Sequence, residues 1–245
     1  MDNILDTAKS WLTDFFDPTV KKEVEYLIAN DKEELKDRFY KNMEFGTGGM
    51  RGVMGVGTNR INKYTLGKST QGLSNYLNKV YKDGEIKVVI AFDCRHNSDT
   101  LARTVAEVFS ANNIKVYLFS DLRTTPELSF AVRYLKCHAG IVLTASHNPP
   151  EYNGYKVYWT DGGQIVPPQD GAIIADINSL DFEDIKFKAN ENLIQVIDKE
   201  VDEAFIEQSV QNGNFNADGK DDFKIVFTSL HGTSITAIPE VLKRA

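Results

Sequence analysis

The apolar positions of this chain change their period along its length. Residues 1–44 carry apolar positions at helical spacing among many charges, and Pro18 breaks the run into at least two helices. Asp31 is placed to cap a short segment from Lys32 to Asn42. The region reads as an N-terminal helical extension packed on a main domain. A glycine-dense stretch follows, from Phe45-Gly46-Thr47-Gly48-Gly49-Met50-Arg51-Gly52 to Gly55 and Gly57, and reads as a loop. Asn62 then caps a predicted long helix through Tyr81, with Leu66, Leu73, Leu77 and Val80 on one face.

From residue 86 the pattern alternates. Ile86 to Phe92 is a nearly continuous apolar strand, and Ser98 is predicted to cap a helix through Ala111. Ile114 to Phe119 forms a second strand. Pro126 opens a helix through Lys136, and Gly140 to Ala145 forms a third strand. Tyr155 to Thr160 reads as a further strand, antiparallel at an edge. Short apolar strands alternating with amphipathic helices predict an α/β domain with a mixed, largely parallel sheet sandwiched by helices.

Residues 178–190 are acidic and mixed, and 191–211 read as helical. The polar, glycine-containing run Asn212 to Lys220 reads as a linker. A strand is expected from Phe223 to Phe227, then Leu230-His231-Gly232-Thr233 and a helix reaching Ala245. One strand and one helix cannot close a core. The expected organisation is therefore an extension over 1–44, a domain over 45–211, and over 212–245 a linker with the truncated start of a similar second domain.

Composition narrows the function classes. With 28 Lys plus Arg against 35 Asp plus Glu, the net charge is −7. That balance argues against a nucleic-acid partner, which requires a basic face. It leaves room for a small anion held by a few local cations. No stretch approaches the roughly 20 apolar residues of a membrane helix. The start, Met1-Asp2-Asn3-Ile4-Leu5-Asp6, lacks the form of a secretory signal. Cys94 and Cys137 form no CxxC pair and suggest ordinary thiols in a reducing cytosol.

In open parallel sheets ligands bind beyond the carboxyl ends of the strands. Three polar loops fall at such ends: Asp93 to Ser98, Ser120 to Thr125, and Thr144-Ala145-Ser146-His147-Asn148-Pro149-Pro150. The third puts a serine just past a buried strand, with His147 and Asn148 as donors beside it and two prolines stiffening the exit. Arg51 and Lys156 can add positive charge for a phosphate. On spacing alone the same run also fits a capped turn. It is no serine-hydrolase elbow, because glycine is missing two residues either side of Ser146. Gly55-Val56-Gly57 with Arg60 lacks the third glycine of a dinucleotide-binding loop.

Thr144-Ala145-Ser146-His147-Asn148-Pro149, followed by Asn153-Gly154-Tyr155-Lys156, resembles the phosphoserine loop of the α-D-phosphohexomutase superfamily. Phe45-Gly46-Thr47-Gly48-Gly49-Met50-Arg51-Gly52 resembles its N-terminal signature, and Leu230-His231-Gly232 the start of its second domain. The leading helices and Tyr155-Lys156-Val157-Tyr158-Trp159 look most like the branch with phosphoglucomutases and phosphopentomutases.

The resemblance implies an intramolecular phosphotransferase working by phosphoryl relay. Ser146 is carried as a phosphoserine and helps bind Mg²⁺ through its phosphate. It phosphorylates one hydroxyl of a hexose monophosphate, and the resulting sugar bisphosphate, which also serves as activator, returns its other phosphate to the serine. Arg51, His147 and Lys156 join Ser146 as catalytic residues, with the general base unassigned between Arg51 and Lys156. Thr47, Gly48, Asn148 and Arg95 are expected to contact substrate or phosphate, although Asn148 also reads as a brace of the loop and Arg95 as a salt-bridged loop arginine. The remaining metal ligands belong to an Asp-Gly-Asp-x-Asp-Arg loop, and no such string occurs here; Asp218-Gly219-Lys220-Asp221-Asp222 has the wrong spacing. Glucose, mannose and pentose phosphates remain open as substrates, as does a non-catalytic sugar-phosphate-binding module. The expected location is the cytoplasm.

Overall fold

Among the described residues six strands form one sheet in the order β1-β5-β4-β2-β3-β6. They are β1 (Gly49–Val53), β2 (Lys87–Phe92), β3 (Lys115–Phe119), β4 (Ala139–Leu143), β5 (Tyr152–Tyr158) and β6 (Ile194–Ile197). The helices are α1 (Asp2–Ser10), α2 (Pro18–Asn30), α3 (Lys32–Phe39), α4 (Lys63–Val80), α5 (Ser98–Ala111), α6 (Thr125–Tyr134), α7 (Gln169–Asn178), α8 (Lys199–Asn212) and α9 (Ile238–Arg244). The computed structural model describes residues 2–213 and 222–245.

The centre of the sheet is parallel: β2 pairs with β3 on one side and β4 on the other, and β3 pairs with β6. β5 runs antiparallel to β4, and β1 antiparallel to β5. The nearly all-apolar sequences of β2 and β4 follow from burial on both faces. Val88, Ile90 and Phe92 of β2 enter the core shared with α4, α5 and α7, together with Ile141 and Leu143 of β4. Val89, Ala91 and Val142 enter the opposite core beneath α6 and α8. The period of two thus divides each strand between two layers.

Local signals set the helix starts. The Asn62 side chain accepts from Tyr64 and Thr65, and Thr65 Oγ1 accepts from the Asn62 N–H, a complete capping box for α4. Asp31 accepts from the Glu34 N–H and caps α3. A third core joins α1–α3 to α4: Trp11 stacks on Phe16 at 4.6 Å and meets Tyr64 edge-on at 5.5 Å. The helices α1–α3 therefore pack against α4 through this aromatic cluster.

Several expectations are corrected. Ser98 is the first helical residue of α5 rather than its cap; Asn97 holds that position, with a φ of 60°, and the Ser98 hydroxyl turns to Asp93. Thr124 caps α6, so Pro126 is its second residue. Val80 faces solvent. β5 lies inside the sheet because part of the glycine-rich loop becomes an edge strand, β1. α7 and β6 go unpredicted, and β6 occupies the start of a stretch expected to be helical. Phe223 to Phe227 forms no strand. Of the expected linker, residues 214–220 lie outside the described residues, as does most of 218–222. α9 packs on α8, where Arg244 pairs with Glu203. Among the described residues no helix is long and apolar enough to cross a membrane.

Candidate active site

The chain passes from β2 to β3 on one side, then crosses back to β4 on the other side of β2. Loops that leave neighbouring strands in opposite directions open a crevice at that reversal. Here the crevice lies between the Asp93–Ser98 loop after β2 and the Thr144–Pro150 loop after β4. It forms a recess of about 290 Å³, lined among others by Asp93, Arg123, Ser146, His147 and His231.

Ser146 is exposed at this recess. Its φ is 55°, in the left-handed region that costs a non-glycine residue roughly 1–2 kcal/mol. Its N–H donates to Thr144 Oγ1 at 3.0 Å, and its Oγ lies 3.2 Å from His147 Nδ1. The Asn148 N–H closes the turn on Ala145 O at 3.1 Å. The threonine two residues before the serine thus braces the backbone through its side chain.

Thr144 also lines a second recess, of about 390 Å³, whose wall includes Thr47, Gly48, Arg51 and Lys156. The two hollows meet at the strand that carries the serine loop. Arg51 on β1 and Lys156 on β5 belong to adjacent antiparallel strands. Arg51 is exposed and Lys156 half-buried, and among the described residues neither has an ion-pair partner. Thr47 Oγ1 donates to Asp170 Oδ2 at 3.0 Å, so its hydroxyl proton is already committed. The Gly48 carbonyl accepts from the Val157 N–H at 2.9 Å and from Gln164 Nε2 at 3.1 Å. The sequence singles out Thr47 and Gly48 but not Asp170 or Gln164, which lie 116 or more residues away in the chain.

Arg95 departs from its expected role as a phosphate contact. Nη1 donates to the carbonyls of Pro149 and Tyr152, and Nη2 to those of Ser146 and Asn148, at 2.6–3.0 Å. All four terminal N–H bonds of the guanidinium are therefore spent on the serine loop and the first residue of β5. Only Nε remains; it is buried without a hydrogen bond and lies 3.6 Å from Asp93 Oδ2.

Arg123 also lies at the recess, although the sequence does not single it out. Its guanidinium pairs two-pronged with Asp202 of α8, at 2.7 and 2.9 Å. Glu127 sits beside this pair, 1% exposed, with neither carboxyl oxygen hydrogen-bonded. Burial, reinforced by the neighbouring Asp202, raises the Glu127 pKa to about 8. Only the return of α8 to the sheet creates this cluster, which explains why local sequence does not reveal it.

Residues 42–184 match the family model described as phosphoglucomutase/phosphomannomutase, alpha/beta/alpha domain I. The phosphoglucomutase of Staphylococcus haemolyticus is 40% identical over 209 residues, covering 84% of this chain and 38% of that protein. That of a Staphylococcus epidermidis strain is 37% identical over 238 residues, covering 95% and 42%. The chain thus spans about two-fifths of the length of the curated relatives it matches. A Thermus thermophilus protein of known structure, assigned as a phosphomannomutase, superposes with a TM-score of 0.60 at 32% identity, over 70% of this chain and 36% of its own. With the family model spanning more than half of the sequence, and the mixed sheet and its flanking helices agreeing with it, the chain belongs to the phosphoglucomutase/phosphomannomutase family and contains its α/β/α domain I.

Proposed function

We propose that this chain is the phosphate-carrying N-terminal part of a phosphohexomutase, an intramolecular phosphotransferase acting on a hexose monophosphate. One observation carries the reading. Ser146 is presented by a braced left-handed turn at the switch point of the sheet, next to a hollow lined by two cations without ion-pair partners among the described residues. In this reading residues 1–44 are the helical extension, 45–211 the phosphoserine domain, and 212–245 the lead into a second domain.

Ser146 Oγ carries the phosphoryl group. A hydroxyl of the sugar monophosphate attacks the phosphorus, the P–Oγ bond breaks, and a sugar bisphosphate forms. The bisphosphate turns over in the site and returns its other phosphate to Oγ, so the sugar leaves with its phosphate moved between the 1- and 6-positions. Such transfer depends on in-line placement and charge neutralisation more than on covalent chemistry from the protein. Arg51 and Lys156 meet the phosphate charge; whichever of them serves as general base takes the proton of the attacking hydroxyl in its deprotonated form, since a charged guanidinium or ammonium has no lone pair to accept it. His147 hydrogen-bonds the serine oxygen and Asn148 braces the turn.

Bound Mg²⁺ would neutralise charge on the phosphoryl group. Among the described residues no cluster of three or more His, Cys, Asp or Glu side chains could hold a metal. This chain fits as one contributor, through the phosphate on Ser146. A cytoplasmic setting and a sugar bisphosphate activator accompany this reading.

Intact-mass and peptide analysis after incubation with glucose 1,6-bisphosphate tests it. One phosphate is expected on Ser146 and none on the Ser146→Ala variant. A phosphate mapped elsewhere, or full mutase activity in Ser146→Ala, overturns the assignment.

A further inference from the structure

Arg95 belongs to the loop after β2, yet it spends its side chain on the loop after β4. Its guanidinium is nine-tenths buried and spans the carbonyls of residues 146, 148, 149 and 152. A network fixes its own position. Asp93 Oδ1 accepts from the Arg95 N–H and from the Ser98 hydroxyl, each at 3.0 Å. Fully buried Asn153 donates to Ser98 Oγ at 3.0 Å and to His96 O at 3.2 Å, and its Oδ1 accepts from the Gly154 N–H at 2.8 Å. The two loops are thus bound through charged and buried polar groups that have little freedom to rearrange.

The Arg95 bond to Ser146 O has a stereochemical consequence. A planar trans peptide points its C=O and N–H in opposite directions. Anchoring Ser146 O on Arg95 therefore turns the His147 N–H away from the guanidinium. Among the described residues that N–H has no acceptor. The same anchor helps hold Ser146 at its left-handed φ, which the residue would otherwise leave.

We propose that Arg95 is a positioning residue for phosphoryl transfer: it locks the Ser146–His147 peptide so that Oγ meets the recess and the His147 N–H stands free for a phosphate oxygen. It touches neither substrate nor the reacting atoms. The proposal rests on the reading of Ser146 as phosphate carrier. Lysine cannot replace Arg95, because one ammonium cannot reach four carbonyls spread over seven residues in the guanidinium's planar geometry.

The experiment compares wild type with Arg95→Lys and Ser98→Ala in the intact protein that carries this chain, by steady-state kinetics and amide hydrogen exchange. In Arg95→Lys, kcat is expected to fall about 10²-fold with KM for the sugar monophosphate nearly unchanged, since misplacing a reactive group by about 1 Å costs that much. The Asn148 and Tyr152 amides, which close turns in the loop, should exchange about tenfold faster while those of β2 and β4 keep their protection. Ser98→Ala, a milder loosening of the same network, should shift both readouts less and in the same direction. If Arg95→Lys loses protection everywhere, Ser98→Ala decides. A rise in KM with kcat unchanged would make Arg95 a substrate contact and overturn the proposal, as would unaltered loop exchange. A wild-type protein that takes no phosphate on Ser146 defeats instead the functional reading beneath it.

Discussion

Arg51 and Lys156 stand on the same face of the sheet, each opposite a glycine of the other's strand. The register pairs Arg51 with Gly154 and Gly49 with Lys156, so the two cations are diagonal neighbours. Ordinary sheet geometry separates such positions by roughly 7–8 Å. With glycine at both directly opposed positions of the β1–β5 pair, no side chain of that pair stands between the cations, and the other partner of Lys156 is Val142 on β4. Two like charges at this spacing repel unless an anion joins them, and a sugar phosphate on that face would do so.

Replacing either cation should therefore act on the transfer step. In the intact protein, Arg51→Ala or Lys156→Ala is expected to lower mutase turnover by about 10²-fold or more, as for other groups that stabilise developing charge or move a proton. Wild-type turnover in both variants would reduce them to surface cations.

Gly154 should tolerate no side chain. A Cβ there would lie 2.6 Å from Thr144 O and 2.8 Å from Met50 O, both backbone atoms that cannot swing aside. Gly154→Ala is expected to cost roughly 1–3 kcal/mol, the usual range for overpacking. Urea unfolding of the chain measures it, and an unshifted midpoint would show that β1 and β4 yield without cost.

Glu127 should make stability fall as pH rises. The unfolded carboxyl titrates near its ordinary 4.5, whereas burial holds the folded one protonated to about 8. Between these values the native state holds a proton that the unfolded state has released. Raising the pH through that window therefore destabilises the fold, and above it the effect levels off. Urea midpoints at pH 5.5 and 8 for wild type and Glu127→Gln isolate the contribution: wild type should lose more stability than the variant. Parallel pH dependence in the two proteins would contradict the protonated state.

The two thiols should differ in reactivity. Cys94 is exposed beside the serine recess, while burial pushes the Cys137 thiol up to about 12. A thiol reagent at neutral pH is expected to label one cysteine per native chain, mapped to Cys94, and two after denaturation. Labelling of native Cys137 at a comparable rate would mean that the core beneath α6 opens readily.

The 245-residue chain by itself is expected to sustain no mutase turnover. A phosphate on Ser146 repels an incoming sugar phosphate unless further groups neutralise and clamp it. A coupled assay with glucose 1-phosphate, Mg²⁺ and a bisphosphate primer measures this. Conversion at the rate of an intact mutase would show that this chain already makes a working site.

The α/β class, the strands β2, β3 and β4, the capped starts of α3 and α4, and the serine loop at a strand end were all legible in the sequence. Each depends on neighbours within a few positions: a continuous apolar run, a cap and its partner three residues on, or a short polar motif. Distant pairing decided the rest. Gly49 to Val53 becomes a strand because β5 offers a free edge, and no local period marks it. β6 forms because β3 needs a partner, although Gln195 and Val196 on it are exposed. Phe223 to Phe227 has the composition of a strand, yet among the described residues no strand pairs with it. Arg95 and Arg123 both fall in polar loops that follow strands. One grips the serine loop and the other pairs with Asp202, 79 residues further along, because a guanidinium's role is set by the acceptors that folding brings to it rather than by its neighbours in the chain.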